Sequence, residues 1–375
     1  MDYSDAALDR YSRLGDPLAD GVVSELVADH GLDEARALLH GLLRTNQAVP
    51  AGMPMVVADY LARTAELPPH DPEDVRRAQR FFVDFGVPVS LSLFCASLPS
   101  AYASWRGVKV LHLTARLETD VRRRIMETGQ FLMDVMTPGG LEPAGQGVRA
   151  IQRVRLVHAT VRHLIEEVAA SDPAVWRPEW GRPISQEELV GTLMSFSYVV
   201  AEPLPRLGLD VTADDAEAYR ACWNVVGTML GVDEGLLPSS MAESADLVAA
   251  IRRRQYGSSP EGIELTGALV QFLEHHTPGW DRQHMVPAII RQLIGDDVAD
   301  LIDVPLEPRS WWDRLNLALL RLLGRFGADF ERSGHDQDVW EPFASTFLRT
   351  AFAIERGKDD AAFDLPDHLA AAIQR

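Results

Sequence analysis

Apolar residues recur at three- and four-residue spacing along most of the chain, the pattern typical of amphipathic helices. Several of these runs open on helix-start signals, in which a cap residue is followed by proline or an acid in the first turn. Glycine and proline close the runs, whereas alternating strand patterns are scarce and Gly107–Leu111 is the best short candidate. The pattern predicts an all-α protein. The start signals are Asp71-Pro72-Glu73, Ser185-Gln186-Glu187-Glu188, Thr212-Ala213-Asp214-Asp215 and Ser240-Met241-Ala242-Glu243.

The domain organisation follows from the proline-rich stretch before Pro72 and from the end of the recognisable core pattern. We predict an N-terminal helical segment over residues 1–70 that packs on the core, a helical core over 71–305, and a C-terminal helical extension over 306–375. No period of 20 to 50 residues repeats, which disfavours a solenoid. The apolar run Trp311–Phe326 is too short and too interrupted by arginine to span a bilayer, and it favours a buried or dimer-packing helix.

Composition excludes several classes of partner. The 36 basic and 55 acidic side chains give a net charge of −19, which argues against a nucleic acid or an anionic membrane surface. The two cysteines, Cys95 and Cys222, lie among apolar or small neighbours, so a reducing compartment is expected. The acidic N-terminus does not read as a secretory signal. We therefore expect a cytoplasmic monomer or homodimer without stable membrane insertion.

Common catalytic signatures are not found: the sequence contains no Gly-rich phosphate loop, no Gly-x-Ser-x-Gly and no His-Glu-x-x-His. The histidine cluster His275, His276 and His284 precedes or follows a Pro-Gly break. Such a cluster at a helix end is expected to cap the helix or to lie exposed on the surface.

A predicted helix ending at Met136 places Arg124, Glu127, Thr128 and Phe131 on one face, because three or four residues make about one turn. That face carries a guanidinium, a carboxylate and a hydroxyl above an aromatic ring. An ordinary ion pair between Arg124 and Glu127, with Thr128 bonded back to its own helix, is the structural alternative.

The next helix places His158 in an apolar stripe. A lone histidine on such a face is ordinarily a core residue held by a hydrogen bond. Here arginines surround it, and a haem would use all three features: an imidazole for iron, apolar side chains for the macrocycle, and cations for the propionates. The stripe comprises Val154, Val157, Val161 and Ile165, and the arginines are Arg153, Arg155 and Arg162. A thiolate ligand from Cys95 or Cys222 is a lesser alternative.

At these residues the chain resembles the catalytic domain of the bacterial rubber oxygenases, or latex-clearing proteins, and the wider group of MpaB-like oxygenases. Roughly residues 10 to 305 are covered, and the order and spacing of the elements carry the resemblance. They are Arg124-x-x-x-Thr128 with Phe131, Val154-Arg155-Leu156-Val157-His158-Ala159-x-Val161-Arg162, Phe81-Phe82, Ser97-Leu98-Pro99-x-x-Tyr102-Ala103, Gly181-x-Pro183-Ile184-Ser185-Gln186-Glu187-Glu188-Leu189, and Tyr219-x-x-x-Trp223-x-Val225-x-Gly227.

The resemblance implies a globin-like helical core around haem b, with His158 as axial iron ligand and Arg155 and Arg162 at the cofactor. It also implies dioxygen as co-substrate, with Arg124 and Thr128 matching the family's paired Arg and Thr near the haem. The chain departs from the rubber-cleaving members at Glu127, where those proteins resemble each other in having lysine. Their separate glutamate base has no assigned match in this sequence.

The leading hypothesis is therefore a haem b oxygenase that uses dioxygen on a small hydrophobic, unsaturated or isoprenoid-like substrate, with Arg124, Glu127 and Thr128 in the pocket. A haem-dependent oxidase, dehydrogenase or peroxygenase that tailors a secondary metabolite is the first alternative, which Glu127 mildly favours. A non-enzymatic haem carrier or gas sensor is the second.

Overall fold

A computed structural model describes residues 1–44, 52–114, 120–207, 209–276 and 285–306. Within these ranges the regular elements are helical and no strand forms, apart from one antiparallel bridge between Ser104 and Tyr256. The prediction of an all-α fold is confirmed. The helices are α1 (Asp5–Tyr11), α2 (Pro17–His30), α3 (Leu32–Arg44), α4 (Met55–Arg63), α5 (Pro72–Asp84), α6 (Gly86–Ser92), α7 (Leu98–Ala103), α8 (Trp105–Leu113), α9 (Asp120–Met136), α10 (Gln146–Ser171), α11 (Gln186–Phe196), α12 (Tyr198–Ala201), α13 (Ala213–Met229), α14 (Met241–Gln255), α15 (Pro260–His276), α16 (Met285–Ile294) and α17 (Asp296–Leu301).

The four helix-start signals of the sequence each open a helix. Asp71, Ser185, Thr212 and Ser240 are the N-caps of α5, α11, α13 and α14, and each side chain accepts a hydrogen bond from a backbone amide in the first turn. At Ser185 the capping box is complete, because Glu188 in turn accepts from the Ser185 amide. These caps satisfy amides that the first turn of a helix leaves without partners.

The strand candidate Gly107–Leu111 lies inside α8. Its alternating valines have a tertiary cause: Val108 is buried in the main apolar cluster, and Val110 is buried in a smaller cluster with Val161 of α10. A helix that packs between two clusters can bury residues two apart in sequence, which imitates the period of a strand.

Three apolar clusters meet along α10. The main cluster contains Val148 and Ile151, the second joins Leu156 and Ala159 to helices α2–α4, and the third contains the C-terminal half of α10 from Val161 onwards together with Val110 and Trp176. Helix α10 packs against α2, α3, α9 and α13. This helix therefore joins α2, α3 and α4 to the remainder of the fold.

The predicted division into residues 1–70, 71–305 and 306–375 stays a prediction. Helices α2 and α4 pack on each other, and α2 packs on α10. Residues 307–375, and with them the apolar run Trp311–Phe326, lie outside the described residues.

A glycine turn lets α9 and α10 approach closely. Gly139 has a positive φ of +86°, and a Cβ atom on Gly147 would stand 2.8 Å from the carbonyl oxygens of Asp134 and Gly140 and 2.9 Å from the Cα of Val135. Because all three neighbours are backbone atoms, they cannot swing aside. We expect Gly147→Ala to destabilise the protein by about 1–3 kcal/mol, measured as the free energy of unfolding in urea.

Gly21 provides the matched control. It is exposed inside α2, and a Cβ atom there would meet nothing within 4 Å. Gly21→Ala should raise the free energy of unfolding by about 0.4–1 kcal/mol, because alanine restricts the unfolded chain. Equal effects at the two glycines would contradict the close approach of α9 and α10.

Candidate active site around helix α10

His158 lies near the middle of α10. The residue is half-buried, and its Nδ1 is buried without a hydrogen-bond partner among the described residues. Burial, with a smaller effect of the Arg162 charge, lowers the pKa of His158 to about 4, although Asp16 opposes the shift. The imidazole is therefore neutral near pH 7 and has a lone pair available, as a metal ligand requires.

The apolar stripe of His158 is only partly covered by protein. Val154 and Val157 are half-buried although α10 has neighbouring helices on several sides, whereas Val161 and Ile165 are buried. Partly uncovered apolar side chains beside an imidazole whose Nδ1 has no partner among the described residues are what a flat apolar ligand needs. The predicted stripe thus exists in the structure, and its N-terminal half, from Val154 to His158, is the part that remains accessible.

Arg155 links α10 to the start of α2 and to the end of α13. Its Nε and Nη2 donate to the two carboxylate oxygens of Asp16 at 2.5 and 2.8 Å, and its Nη1 donates to the carbonyl of Met229 at 3.0 Å. These contacts use three of the five N–H groups of a guanidinium and leave two for a further acceptor. A propionate contact through Arg155 is compatible with this geometry and stays a prediction.

Arg162 is more completely enclosed, with a side chain 1% exposed. Its Nε donates to the carbonyl of Pro183 at 3.0 Å, its Nη2 donates to the carbonyl of Ile184 at 2.7 Å, and its Nη1 pairs with Asp20. The structure therefore gives Arg162 an anchoring position between α10, α2 and the loop before α11. The predicted contact of Arg162 with a haem propionate stays a prediction.

The polar face predicted on α9 lies on a helix that packs against α10. Glu127 is buried, Thr128 is half-buried, and Phe131 is buried below them. The backbone of Arg124 belongs to α9, but its side chain lies outside the described part. The two helices that carry the predicted catalytic and cofactor residues are thus neighbours, and the roles of Arg124, Glu127 and Thr128 stay predictions.

The other candidate metal ligands have less suitable surroundings. Cys95 and Cys222 are both buried free thiols, and burial raises the pKa of each to about 12, which disfavours a thiolate. His275 is exposed near the end of α15, whereas the His276 side chain and His284 lie outside the described residues. Across the described ranges, no group of three or more His, Cys, Asp or Glu side chains is placed to hold a metal ion. Of the predicted ligands, His158 has the surroundings that suit an iron carried by a macrocycle.

Sequence reasoning missed the partners that hold α10. Asp16 and Asp20 lie at the start of α2, about 140 residues before the arginines they bind, and no local spacing connects them. The Asp16-Pro17 pair does carry a helix-start signal, and Asp16 is indeed the N-cap of α2. This signal could have predicted the helix, but the ion pairs could be identified only from the fold.

Comparison with known proteins decides the family. The model of the "ER-bound oxygenase mpaB/B'/Rubber oxygenase, catalytic domain" family matches residues 80–327, which is more than half of the chain. The chain belongs to this family. It is therefore an oxygenase, an oxidoreductase enzyme that uses oxygen, as predicted.

Two known proteins are similar to this oxygenase. The chain is 26% identical to a rubber oxygenase of Streptomyces sp. (strain K30) over 300 residues, which are 78% of this chain and 71% of the relative. It is also similar to the structure of latex clearing protein LCP in the closed state, with a TM-score of 0.76, 24% identity and 95% of each chain covered. The second likeness confirms the helical fold.

Across the described ranges of this oxygenase, no single helix combines the length and apolar composition needed to cross a membrane. One bent pair, Pro72–Asp84 with Pro88–Ala103, meets those criteria when its two helices are taken together, and it turns by 89°.

Proposed function

We propose that this oxygenase depends on haem b, uses dioxygen, and acts on a small hydrophobic substrate of unsaturated or isoprenoid-like character, with His158 as the axial iron ligand. The single observation that carries the proposal is His158 itself: a neutral imidazole, with one buried ring nitrogen unpartnered among the described residues, on an incompletely covered valine stripe. Haem, when bound, supplies the iron at which dioxygen is activated.

The chain's own residues then have three tasks. His158 holds the cofactor, and the half-buried Val154 and Val157 supply apolar contact. On α9, Arg124 and Thr128 supply N–H and O–H donors towards developing negative charge on oxygen. The buried Glu127 holds or moves a proton in the pocket, since its carboxyl group is removed from bulk water.

The apolar character of the substrate is supported by the half-buried Val154 and Val157 beside His158. A relative of this chain is named a rubber oxygenase, so a substrate with isoprene-like double bonds is the closest chemical class. A small molecule is preferred to the polymer because Glu127 replaces the lysine of the rubber-cleaving members.

A haem-dependent oxidase, dehydrogenase or peroxygenase that tailors a secondary metabolite is the second candidate. The observation that favours it is the buried Glu127, since a carboxyl group can serve proton transfer in an oxidation that leaves no oxygen in the product.

The test is haem reconstitution followed by turnover under isotopically labelled dioxygen. We expect a Soret band that saturates at one haem per chain, and label in the product formed from a small unsaturated terpenoid. Product without label would favour the oxidase or dehydrogenase, and label that comes only from labelled peroxide would favour the peroxygenase. Absence of a Soret band after reconstitution would overturn the haem-dependent function.

A further inference from the structure

The loop that precedes α11 is held between two buried charged side chains. On one side, Arg162 of α10 donates to the carbonyls of Pro183 and Ile184 at 3.0 and 2.7 Å. On the other side, Glu188 of α11 accepts the Ser185 amide at 3.2 Å, and the Ile184 amide also acts on this carboxyl group. The carbonyls and amides of one short loop thus link α10 to α11.

Ile184 is held in an unusual conformation at the centre of this link. Its φ is +51°, in the left-handed region that a β-branched residue rarely adopts. Its side chain packs against both the main apolar cluster and the cluster of Val161 and Trp176. A conformation of this kind persists only where the surroundings determine it strongly, and here Arg162, Glu188 and the two clusters do so.

Glu188 does more at this position than cap α11. Glu188 is 7% exposed, and its Oε1 is buried without a hydrogen-bond partner among the described residues. An ordinary capping glutamate is solvent-exposed, and burial here imposes a cost that a cap alone does not require. Arg162 lies four residues, about one helical turn, after His158 on α10, so what holds Arg162 also holds the turn next to the histidine.

We propose that Glu188 is a positioning residue for His158: its carboxyl group holds the Pro183–Ile184 carbonyls against Arg162 and thereby fixes α10 one turn beyond the histidine. This inference rests on the proposed haem site for its functional consequence, but the link between Glu188 and α10 can be tested in haem-free protein. The contribution of Glu188 is therefore separable from the identity of the cofactor.

The charges around Glu188 come from several helices. Arg106 of α8 acts on it favourably, and the neighbouring Glu187 acts unfavourably. Glu187 is itself paired with Arg254 of α14 at 2.7 Å, and Arg254 also pairs with Asp9 of α1 at 2.6 Å. Burial, as the largest effect, raises the pKa of Glu188 to about 7. Its charge therefore changes near neutral pH, where a carboxylate becomes a weaker acceptor on protonation.

The test compares Glu188→Ala with Ser185→Ala by hydrogen exchange in haem-free protein at pH 8. Both variants remove one half of the capping box at α11. Only Glu188→Ala removes the acceptor that holds the loop towards Arg162. We expect faster exchange in the first turn of α11 in both variants, and exchange faster by about tenfold or more between residues 158 and 165 in Glu188→Ala alone.

Each outcome decides the question. If residues 158–165 exchange at the wild-type rate in Glu188→Ala, or equally fast in both variants, Glu188 is only a cap and the proposal fails. Should Glu188→Ala not fold, Glu188→Gln takes its place, since it keeps one acceptor oxygen without the charge. Its amides must then exchange faster than those of the wild type in the first turn of α11 and between residues 158 and 165. Unchanged exchange in Glu188→Gln would then overturn the proposal.

A second readout applies to haem-loaded protein. The ferric absorption spectrum of the wild type should change with a midpoint near pH 7, and this transition should be absent in Glu188→Gln and retained in Ser185→Ala. A transition retained in Glu188→Gln would contradict the positioning role. If no haem binds, the proposed function fails, and the exchange experiment still decides whether Glu188 fixes α10.

Discussion

Replacement of His158 by alanine is expected to abolish haem binding. In the proposed site His158 is the iron ligand from the chain, and the valines beside it supply contact without coordination. We expect the variant to show less than a tenth of the wild-type Soret absorbance after reconstitution with one equivalent of haem. Oxygenase activity should be lost with the cofactor.

His112 offers a matched control for this loss. It is also half-buried, and its Nδ1 is also buried without a partner among the described residues, but it lies near the end of α8. His112→Ala should keep the Soret band. Equal haem binding by His158→Ala and the wild type would refute the ligand assignment, and loss of haem only in His112→Ala would transfer it to α8.

Chemical rescue separates the lost ligand from a damaged fold. His158→Gly leaves a cavity at the former imidazole, so added imidazole should restore a Soret band in that variant and leave His158→Ala with less or none. A circular dichroism spectrum like that of the wild type establishes that the variants fold. Failure of rescue in a folded His158→Gly protein would count against coordination by His158.

His158→Ala should also change the pH dependence of stability in haem-free protein. Because the pKa of His158 falls from its ordinary 6.5 to about 4 on folding, the unfolded state binds more protons between these pH values. The free energy of unfolding of the wild type therefore decreases as pH falls from 6.5 to about 4, because the folded state keeps His158 neutral. His158→Ala should not show this decrease. Glu188 has the opposite sign, because its raised pKa stabilises the folded state as pH falls from about 7 towards 4.5.

Local chemistry explains which parts of the fold the sequence could predict. The caps at Asp71, Ser185, Thr212 and Ser240 depend on residues within one turn, so their helices could be predicted without tertiary information. The His158 stripe also follows from helical period alone. In contrast, the alternation of Val108 and Val110 results from two separate clusters, which sequence period cannot distinguish from a strand.

In the candidate site, too, the features that depend on tertiary packing could not be predicted from the sequence. Sequence spacing predicted that Arg124, Glu127 and Thr128 share one helix and that Arg155 and Arg162 lie on the next, and these two helices, α9 and α10, pack on each other. The ion pairs of Arg155 and Arg162 could not be predicted in this way, because their acidic partners, Asp16 and Asp20, lie about 140 residues away at the start of α2. Likewise, Glu188 was recognisable as a capping residue, but its burial and its link through Ile184 to Arg162 depend on how α10 and α11 pack.

Replacement of Asp16 by alanine is expected to cause the largest loss of stability. The Asp16 side chain is 4% exposed and binds Arg155, itself 11% exposed, through both carboxylate oxygens. Its removal leaves a largely buried guanidinium without its anion and also removes the N-cap that accepts the Ala19 amide. We expect the free energy of unfolding in urea to fall by about 3–5 kcal/mol.

A second variant shows whether the unpaired charge causes this loss. In Arg155→Met the apolar stem is retained and the charge is removed, so Asp16→Ala combined with Arg155→Met should be less destabilised than the sum of the two single variants. Glu73→Ala, which removes the exposed pairs with Arg76 and Arg80, should have a small effect by comparison. Additive losses at Asp16 and Arg155 would show that the ion pair does not couple α2 to the histidine helix.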